Sequence, residues 1–171
     1  YKTQNNHQWE SLGPLNVGGR ISAIAVNPAN ELNMYIAAAT GGVFKTTDGG
    51  ASWQAIFDEV GTLSIGHIAL HPTNPSIIYV GTGEANGESG AGASPGDGIY
   101  RSIDAGETWQ HLGLSESQQI GRIAIDPINP DRIFVAAMGR QYGTNPERGV
   151  YRSEDGGLSW ERKLYVNDST G

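Results

Sequence analysis

The sequence predicts an all-β protein assembled from repeated four-stranded units, and three observations predict it. The first is an eight-residue stretch that occurs three times: Thr46-Thr47-Asp48-Gly49-Gly50-Ala51-Ser52-Trp53, Ser102-Ile103-Asp104-Ala105-Gly106-Glu107-Thr108-Trp109 and Ser153-Glu154-Asp155-Gly156-Gly157-Leu158-Ser159-Trp160. The second is a proline marker at a nearly constant distance after a tryptophan, at Asn27-Pro28, His71-Pro72 and Asp126-Pro127, following Trp9, Trp53 and Trp109. The third is composition: 25 glycines and only 17% charged residues suit short strands joined by many turns.

Each copy of the eight-residue stretch reads hydroxyl, any, Asp, any, Gly, any, hydroxyl, Trp. It follows a short apolar-aromatic strand: Gly42-Val43-Phe44-Lys45, Gly98-Ile99-Tyr100-Arg101 or Gly149-Val150-Tyr151-Arg152. A short carboxylate at Asp48, Asp104 and Asp155 can accept from turn N–H groups. Gly50, Gly106 and Gly157, two residues on, supply the positive φ that closes a hairpin. The tryptophan then sits on the returning strand, where one large ring fills the space between neighbouring sheets. This is the Asp-box, and it is a fold signal. Its aspartates read as turn staples, not catalytic acids.

After the prolines the copies align without gaps. Asn30, Asn74 and Asn129 coincide, as do Tyr35, Tyr79 and Phe134, then Ile36, Val80 and Val135. Four strands per unit follow: strand a at 21–26, 65–70 and 120–125; strand b at 34–39, 77–82 and 133–138; strand c before each box; and strand d carrying the tryptophan. β-branched and aromatic residues bounded by Pro, Asn and Gly support each strand, and no helix is predicted. Repeated four-stranded units at a period of about 50 residues read as β-propeller blades. Blade one spans 20–58, blade two 64–113 and blade three 119–166.

Only the connection between strands b and c changes length substantially. It is Thr40-Gly41 in blade one, 83–97 in blade two and 139–148 in blade three. Propeller topology puts these loops on one face with the d–a connections, and the boxes with the a–b turns on the other. Length variation concentrated on one face is where function usually sits. Three blades are too few to close a ring. Residues 6–12, with Trp9, resemble a strand d that arrives before any a, b or c, and are expected to close a blade encoded elsewhere in a longer propeller.

The 171-residue length allows a sizeable core. A net charge of −7 argues against nucleic acid or an anionic membrane as partner, since both need a basic footprint. No run is long enough to span a membrane. The absence of cysteine removes disulfides and thiolate metal sites. The chain begins at Tyr1, which reads as a processed product or a piece of something longer.

The succession GPLNVGGRISAIAVNP, ATGGVFKTTDGGASW, YVGTGEAN, GDGIYRSIDAGETW, IGRIAIDPINPDRIFVAAMGRQYG and ERGVYRSEDGGLSWERKLYVNDSTG resembles the opening of bacterial secreted proteins of the sortilin-like (Vps-ten type) Asp-box class. The resemblance covers essentially the whole chain. It implies a large multi-bladed propeller, an exported location and further C-terminal modules. Sortilin itself is a peptide-binding receptor, so the scaffold need not be catalytic. Xyloglucanase-type glycosidases are similar at ATGGVFK but carry a catalytic Asp two positions before the glycine pair, where this chain has Ala39. A glycosidase of that type needs two flanking carboxylates. Sialidases hold a carboxylate with three arginines, yet Arg20 lies three residues before the position shared by His67 and Arg122. The set Arg20, Arg122 and Arg140 therefore does not match.

Several residues remain as site candidates. Glu84, Glu88, Asp97 and Asn86 share the long loop of blade two and leave Ca²⁺ open as an alternative to the expected absence of any cofactor. His67 and Arg122 occupy one strand-a position in adjacent blades, where they either bridge carbonyls or water or face a ligand together. Arg140 and Tyr142 have the composition of a recognition loop. The expected function is non-catalytic recognition or scaffolding by an exported propeller, binding peptide or glycan on the b–c loop face. The alternative is a glycoside hydrolase-like enzyme whose catalytic residues lie outside this segment. The expected partners are the remainder of a longer propeller chain or oligomeric mates.

Overall fold

A computed structural model describes residues 20–86 and 94–170. The expected closing strand at 6–12, and Glu88, lie outside the described residues. The described chain forms three four-stranded antiparallel sheets, each a simple meander. The first contains β1 (Ile21–Val26), β2 (Met34–Ala38), β3 (Gly42–Thr46) and β4 (Gln54–Ala55). The second contains β5 (Ile65–Leu70), β6 (Ile78–Thr82), β7 (Ile99–Ser102) and β8 (Gln110–His111). The third contains β9 (Ile120–Ile125), β10 (Ile133–Ala137), β11 (Gly149–Ser153) and β12 (Glu161–Leu164). Among the described residues one 3-10 turn, Ser115–Ser117, interrupts the strands between β8 and β9. This is a partial β-propeller of three blades.

The blades stack face to face through two apolar layers. Between blades one and two, Tyr35, Ala37 and Val43 meet Ile65, Ile68 and Val80. Between blades two and three, Tyr79 and Ile99 meet Ile120, Ile123 and Val135. Alternation along each strand produces this: successive side chains point to opposite faces, so each blade presents one row forward and one row back. The inner strands β1, β5 and β9 line up side by side. Close approach there is made possible by Gly66 of β5, where a β-carbon would collide with the Ile120 backbone carbonyl of β9. Ile120 thus fills the space a larger residue would need.

Each box closes in the same way. Thr46 Oγ1 donates to Asp48 Oδ1 at 2.7 Å, and Ser52 donates its Oγ to Oδ2 at 2.6 Å and its N–H to Oδ1 at 2.9 Å. Ser102 and Thr108 do the same to Asp104, and Ser153 and Ser159 to Asp155. These bonds hold all three carboxyls down at about 2, the hydroxyl of the second hydroxyl residue (Ser52, Thr108, Ser159) contributing most. The first hydroxyl also accepts from the glycine N–H, as Gly50 donates to Thr46 Oγ1 at 2.9 Å. Positive φ is needed at two successive residues: Gly49 and Gly50, Gly156 and Gly157, and Ala105 (φ 61°) with Gly106. Ala105 therefore carries a side chain in the left-handed region that favours glycine.

The tryptophans join blades through their indole nitrogens. Trp109 Nε1 donates to the Ile56 carbonyl at 2.7 Å, and Trp160 Nε1 to the Leu112 carbonyl at 2.8 Å. Each thus reaches the outer strand of the preceding blade. The boxes also dock on the a–b turns of their own blades: the N–H groups of Gly49, Ala105 and Gly156 donate to Leu32, Ser76 and Asp131. Among the described residues no helix is long and apolar enough to cross a membrane.

Candidate functional site at the loop rim

The rim opposite the boxes is built from the b–c loops of blades two and three and the connection between β8 and β9. In blade two, Thr82 organises the start and end of the loop. Its hydroxyl accepts from the N–H groups of Asp97 (2.8 Å) and Gly98 (2.9 Å). Asp97 in turn accepts from the Tyr100 hydroxyl at 2.6 Å, and burial first, then this carboxylate, pushes the phenol well above its ordinary range. The loop is laid against the d–a connections: Ser64 Oγ donates to the Ser94 carbonyl at 2.8 Å, and Gly96 N–H to the Gln118 carbonyl at 2.6 Å.

In blade three the loop is wrapped around one cation. Arg148 is buried, 6% exposed, and its guanidinium donates to the carbonyls of Asp168 (2.9 Å), Gly143 (3.1 Å), Met138 and Arg140. The rigid five-donor fork of arginine suits such a cluster of acceptors. Asn145 adds a bond from Nδ2 to the Glu116 carbonyl at 3.0 Å, tying the loop to the 3-10 turn. Tyr151 donates to the Glu147 carbonyl and carboxylate, both at 2.9 Å, and burial followed by this carboxylate raises its phenol to about 12.

Between these loops lies an open cleft of about 320 Å³, lined by Pro95, Gln118, Gln119, Arg140, Gln141 and Tyr142. Gln119 is 2% exposed, and its side-chain oxygen has no hydrogen-bond partner among the described residues. A buried, unpaired acceptor costs about 1–3 kcal/mol unless something satisfies it. Tyr142 stands exposed at the edge. A second hollow of about 180 Å³ adjoins it across Gln118 and Arg140, with Glu116 and Glu147 on its wall.

The structure brings Arg140 and Tyr142 into this cleft and places the other candidates elsewhere. Glu84 is almost fully buried; its carboxylate accepts from both terminal nitrogens of Arg20, Nη1 at 2.6 Å, and from the Asn86 N–H at 3.0 Å. The pair ties the entry of blade one to the loop of blade two. Glu84 and Asp97 thus turn their oxygens to protein donors, and among the described residues no three His, Asp or Glu side chains gather as a metal site. His67 faces blade three, where its Nδ1 accepts from the Ile123 N–H at 3.4 Å. Burial, and then the nearby Arg122 charge, depress this imidazole to about 4, so it stays neutral. Arg122 occupies the matching register position of β9, opposite Ala136, on the outward face of blade three. Ala39, where the xyloglucanase-like pattern expects an Asp, is buried and donates its N–H to the Arg20 carbonyl at 2.8 Å.

Sequence reasoning missed Arg148 and Gln119. Arg148 closes the ten-residue insertion 139–148, which also carries Asn-Pro, yet nothing in that spacing marks it as buried. Gln119 precedes strand a in blade three, where blades one and two have Arg20 and Ser64, so alignment gave it no signal.

The fold and rim define a class, a segment of a longer β-propeller with boxes on one face and variable loops on the other. No family model matches the chain. It is 27% identical over 171 residues to the xyloglucanase Xgh74A of Acetivibrio thermocellus, with 91% of this chain and 19% of that protein covered. It is 30% identical over 128 residues to the oligoxyloglucan-reducing end-specific xyloglucanase of Emericella nidulans, with 71% and 15% covered. Among solved structures, an ancestral GH74 enzyme superposes with a TM-score of 0.64 at 26% identity, covering 88% of this chain and 19% of that one. YCF48 from Cyanidioschyzon merolae superposes with a TM-score of 0.59 at 17% identity, covering 91% and 41%, a likeness of fold alone. The chain spans less than a fifth of the length of these curated relatives.

Proposed function

We propose that this segment supplies part of the glycan-recognition rim of a longer, exported β-propeller, and that it carries no general acid or base of its own. The observation that carries the reading is the open cleft between the two variable loops, lined by Gln118, Arg140, Gln141 and Tyr142, with Tyr142 exposed at its edge. A sugar presents hydroxyl groups to amide side chains and C–H faces to an aromatic ring. Amides and an arginine beside them give the few convergent polar groups that fix a ligand's orientation. The xyloglucanase relatives favour glycan over peptide as the ligand. The sortilin-like resemblance of the sequence adds the exported location. Ala39 favours recognition over hydrolysis, because the carboxylate expected there is replaced by a methyl group. Catalysis by the complete propeller would then draw on residues of other blades.

The test is affinity electrophoresis of the protein through gels containing xyloglucan, with mixed-linkage glucan and starch as comparisons. Retardation by one glucan, weakened at least tenfold by Tyr142→Ala and by Arg140→Ala, supports the reading. Equal mobility in all gels, or both variants retarded like the parent, sinks it.

A further inference from the structure

At the outer end of the joint between blades one and two, a groove of about 470 Å³ opens between β4 and the box of blade two. Gln54, Ile56, Asp58 and Glu59 of blade one form one wall, and Glu107 and Trp109 of blade two the other. The floor is packing that both joints repeat. The Trp109 indole donates to the Ile56 carbonyl, as Trp160 does to Leu112. A β-carbon on Gly106 would stand 2.5 Å from Ile56 Cδ1, and one on Gly157 would stand 2.7 Å from Leu112 Cδ1.

The repeat does not account for the walls. Counted from the tryptophans, Asp58 and Glu59 stand where the next joint has Leu114 and Ser115, and Glu107 stands where the third box has Leu158. Leu114 packs against the core of its joint, whereas Asp58, Glu59 and Glu107 are exposed. Carboxylates thus stand on two blades around a hollow that the fold is free to line with leucine. Among the described residues no lysine, arginine or histidine pairs with any of the three. Lys45 crosses the same joint, but its Nζ is engaged by the Ala105 carbonyl at 2.9 Å.

Three further features define the occupant. β4 is the outer strand of its sheet and both of its residues are exposed, so one edge of its backbone is unpaired within the blade. An extended peptide can add to such an edge through main-chain hydrogen bonds. The half-buried Trp109 indole offers a π surface, on which a planar guanidinium stacks better than an ammonium. Among the described residues no three His, Asp or Glu side chains gather closely enough to hold a metal ion. The charge that complements these walls is therefore one spread over a side chain. We infer that this groove docks an extended, arginine-bearing peptide segment, which runs along β4 and places a guanidinium between the carboxylates of the two walls, over the Trp109 indole. The site lies apart from the glucan cleft and does not rest on it.

The experiment is fluorescence anisotropy of a labelled heptapeptide alternating glycine and arginine, titrated with the protein at low salt. Near-ultraviolet circular dichroism shows that each variant is folded. The parent is expected to bind the arginine peptide, to bind its lysine counterpart more weakly, and not to bind its glutamate counterpart. Asp58→Asn and Glu107→Gln are each expected to weaken binding about threefold to fivefold, the scale of an exposed charge pair. Asp58→Leu combined with Glu107→Leu, side chains that the next joint already carries at these positions, is expected to weaken it at least about tenfold. The Asn and Gln variants carry the test if the leucine pair does not fold. Glu31→Gln removes a carboxylate outside the groove and is expected to leave the affinity unchanged, as is Tyr142→Ala. A parent that does not bind the arginine peptide, or groove variants that bind it like the parent, overturns the inference. So does an equal loss with Glu31→Gln, which would mean diffuse attraction to an acidic protein. Displacement of the peptide by Ca²⁺ alone at constant ionic strength also overturns it, since the occupant would then be a metal ion.

Discussion

Replacing Arg148 with methionine keeps a stem of similar length and removes every donor of the guanidinium. Four carbonyls lose their partner: Met138, Arg140, Gly143 and Asp168. Arg140 and Gly143 are exposed residues whose carbonyls can turn to water, so the lasting loss falls mainly on Met138 and Asp168. A hydrogen bond from a charged donor is worth about 1.5–3 kcal/mol, partly offset because a buried cation no longer has to be desolvated, so Arg148→Met is expected to cost about 2–4 kcal/mol. Arg148→Lys keeps the charge but not the fork, and is expected to recover less than half of that loss. Urea denaturation measures the cost, and amide exchange locates it. Protection should fall at Asn145 and Met138, whose N–H groups bond to Asp168 and Gln119, before it falls in β9 and β10. Because Arg140 and Tyr142 ride on this loop, glucan retardation should also weaken, although Arg148 does not line the cleft. A variant within about 0.5 kcal/mol of the parent, the usual range for an inconsequential surface change, with unchanged exchange at Asn145, would refute the staple.

The His67 imidazole titrates near 4 when folded and near 6.5 when unfolded, so the unfolded state binds the extra proton between those values. Stability should therefore be fully present above pH 6.5 and fall by about 1–3 kcal/mol on acidification to pH 4, and His67→Asn should flatten that slope in pH-dependent melts. Ala105 holds φ 61° in its box, so Ala105→Gly should raise stability by about 0.5–1 kcal/mol in urea titrations. Asp104, whose folded value near 2 lies below its unfolded one, stabilises above pH 4 and loses that contribution as pH falls through 2. Asp104→Asn should accordingly lower the melting temperature at pH 7, narrow its gap to the parent at pH 2, and leave glucan retardation unchanged.

What the sequence made legible was whatever repeats. Strand a has in the sequence the ends that the structure shows at β1, β5 and β9, because an apolar run that opens on isoleucine and stops two residues before a proline occurs in register three times. The boxes were legible for the same reason, although the second left-handed residue was not: Ala105 hides a conformation that Gly49 and Gly156 announce. The site is only half legible. Arg140 and Tyr142 stood out as an arginine and an aromatic in an insertion, but Gln119, Arg148 and the Arg20–Glu84 pair act once each, through contacts between loops that have no counterpart in another blade. Their partners are far apart in sequence, as Arg20 and Glu84 are, or are backbone carbonyls that any residue could supply. His67 and Arg122 share a register position of strand a in adjacent blades, and the structure adds direction: the ring of His67 addresses the Ile123 backbone of the next blade, so its neutrality follows from blade packing.

The division of labour between the two faces follows from where each blade is tied to the next. On the box face, Lys45 and Arg101 reach carbonyls inside the neighbouring box, and the indole N–H groups of Trp109 and Trp160 reach the neighbouring outer strand. A change of length there would shift donors and acceptors in two blades at once. On the other face Thr82 holds the ends of strands b and c of blade two together by itself, so residues can be added between them while the strand ends stay in place. Lengthening a loop whose ends are already fixed costs little, about 0.6 kcal/mol per doubling. The variable insertions at 83–97 and 139–148 accordingly grow on the face where the chain can accept them. There the insertions, not the repeat, shape the cleft beside Gln118 and Arg140.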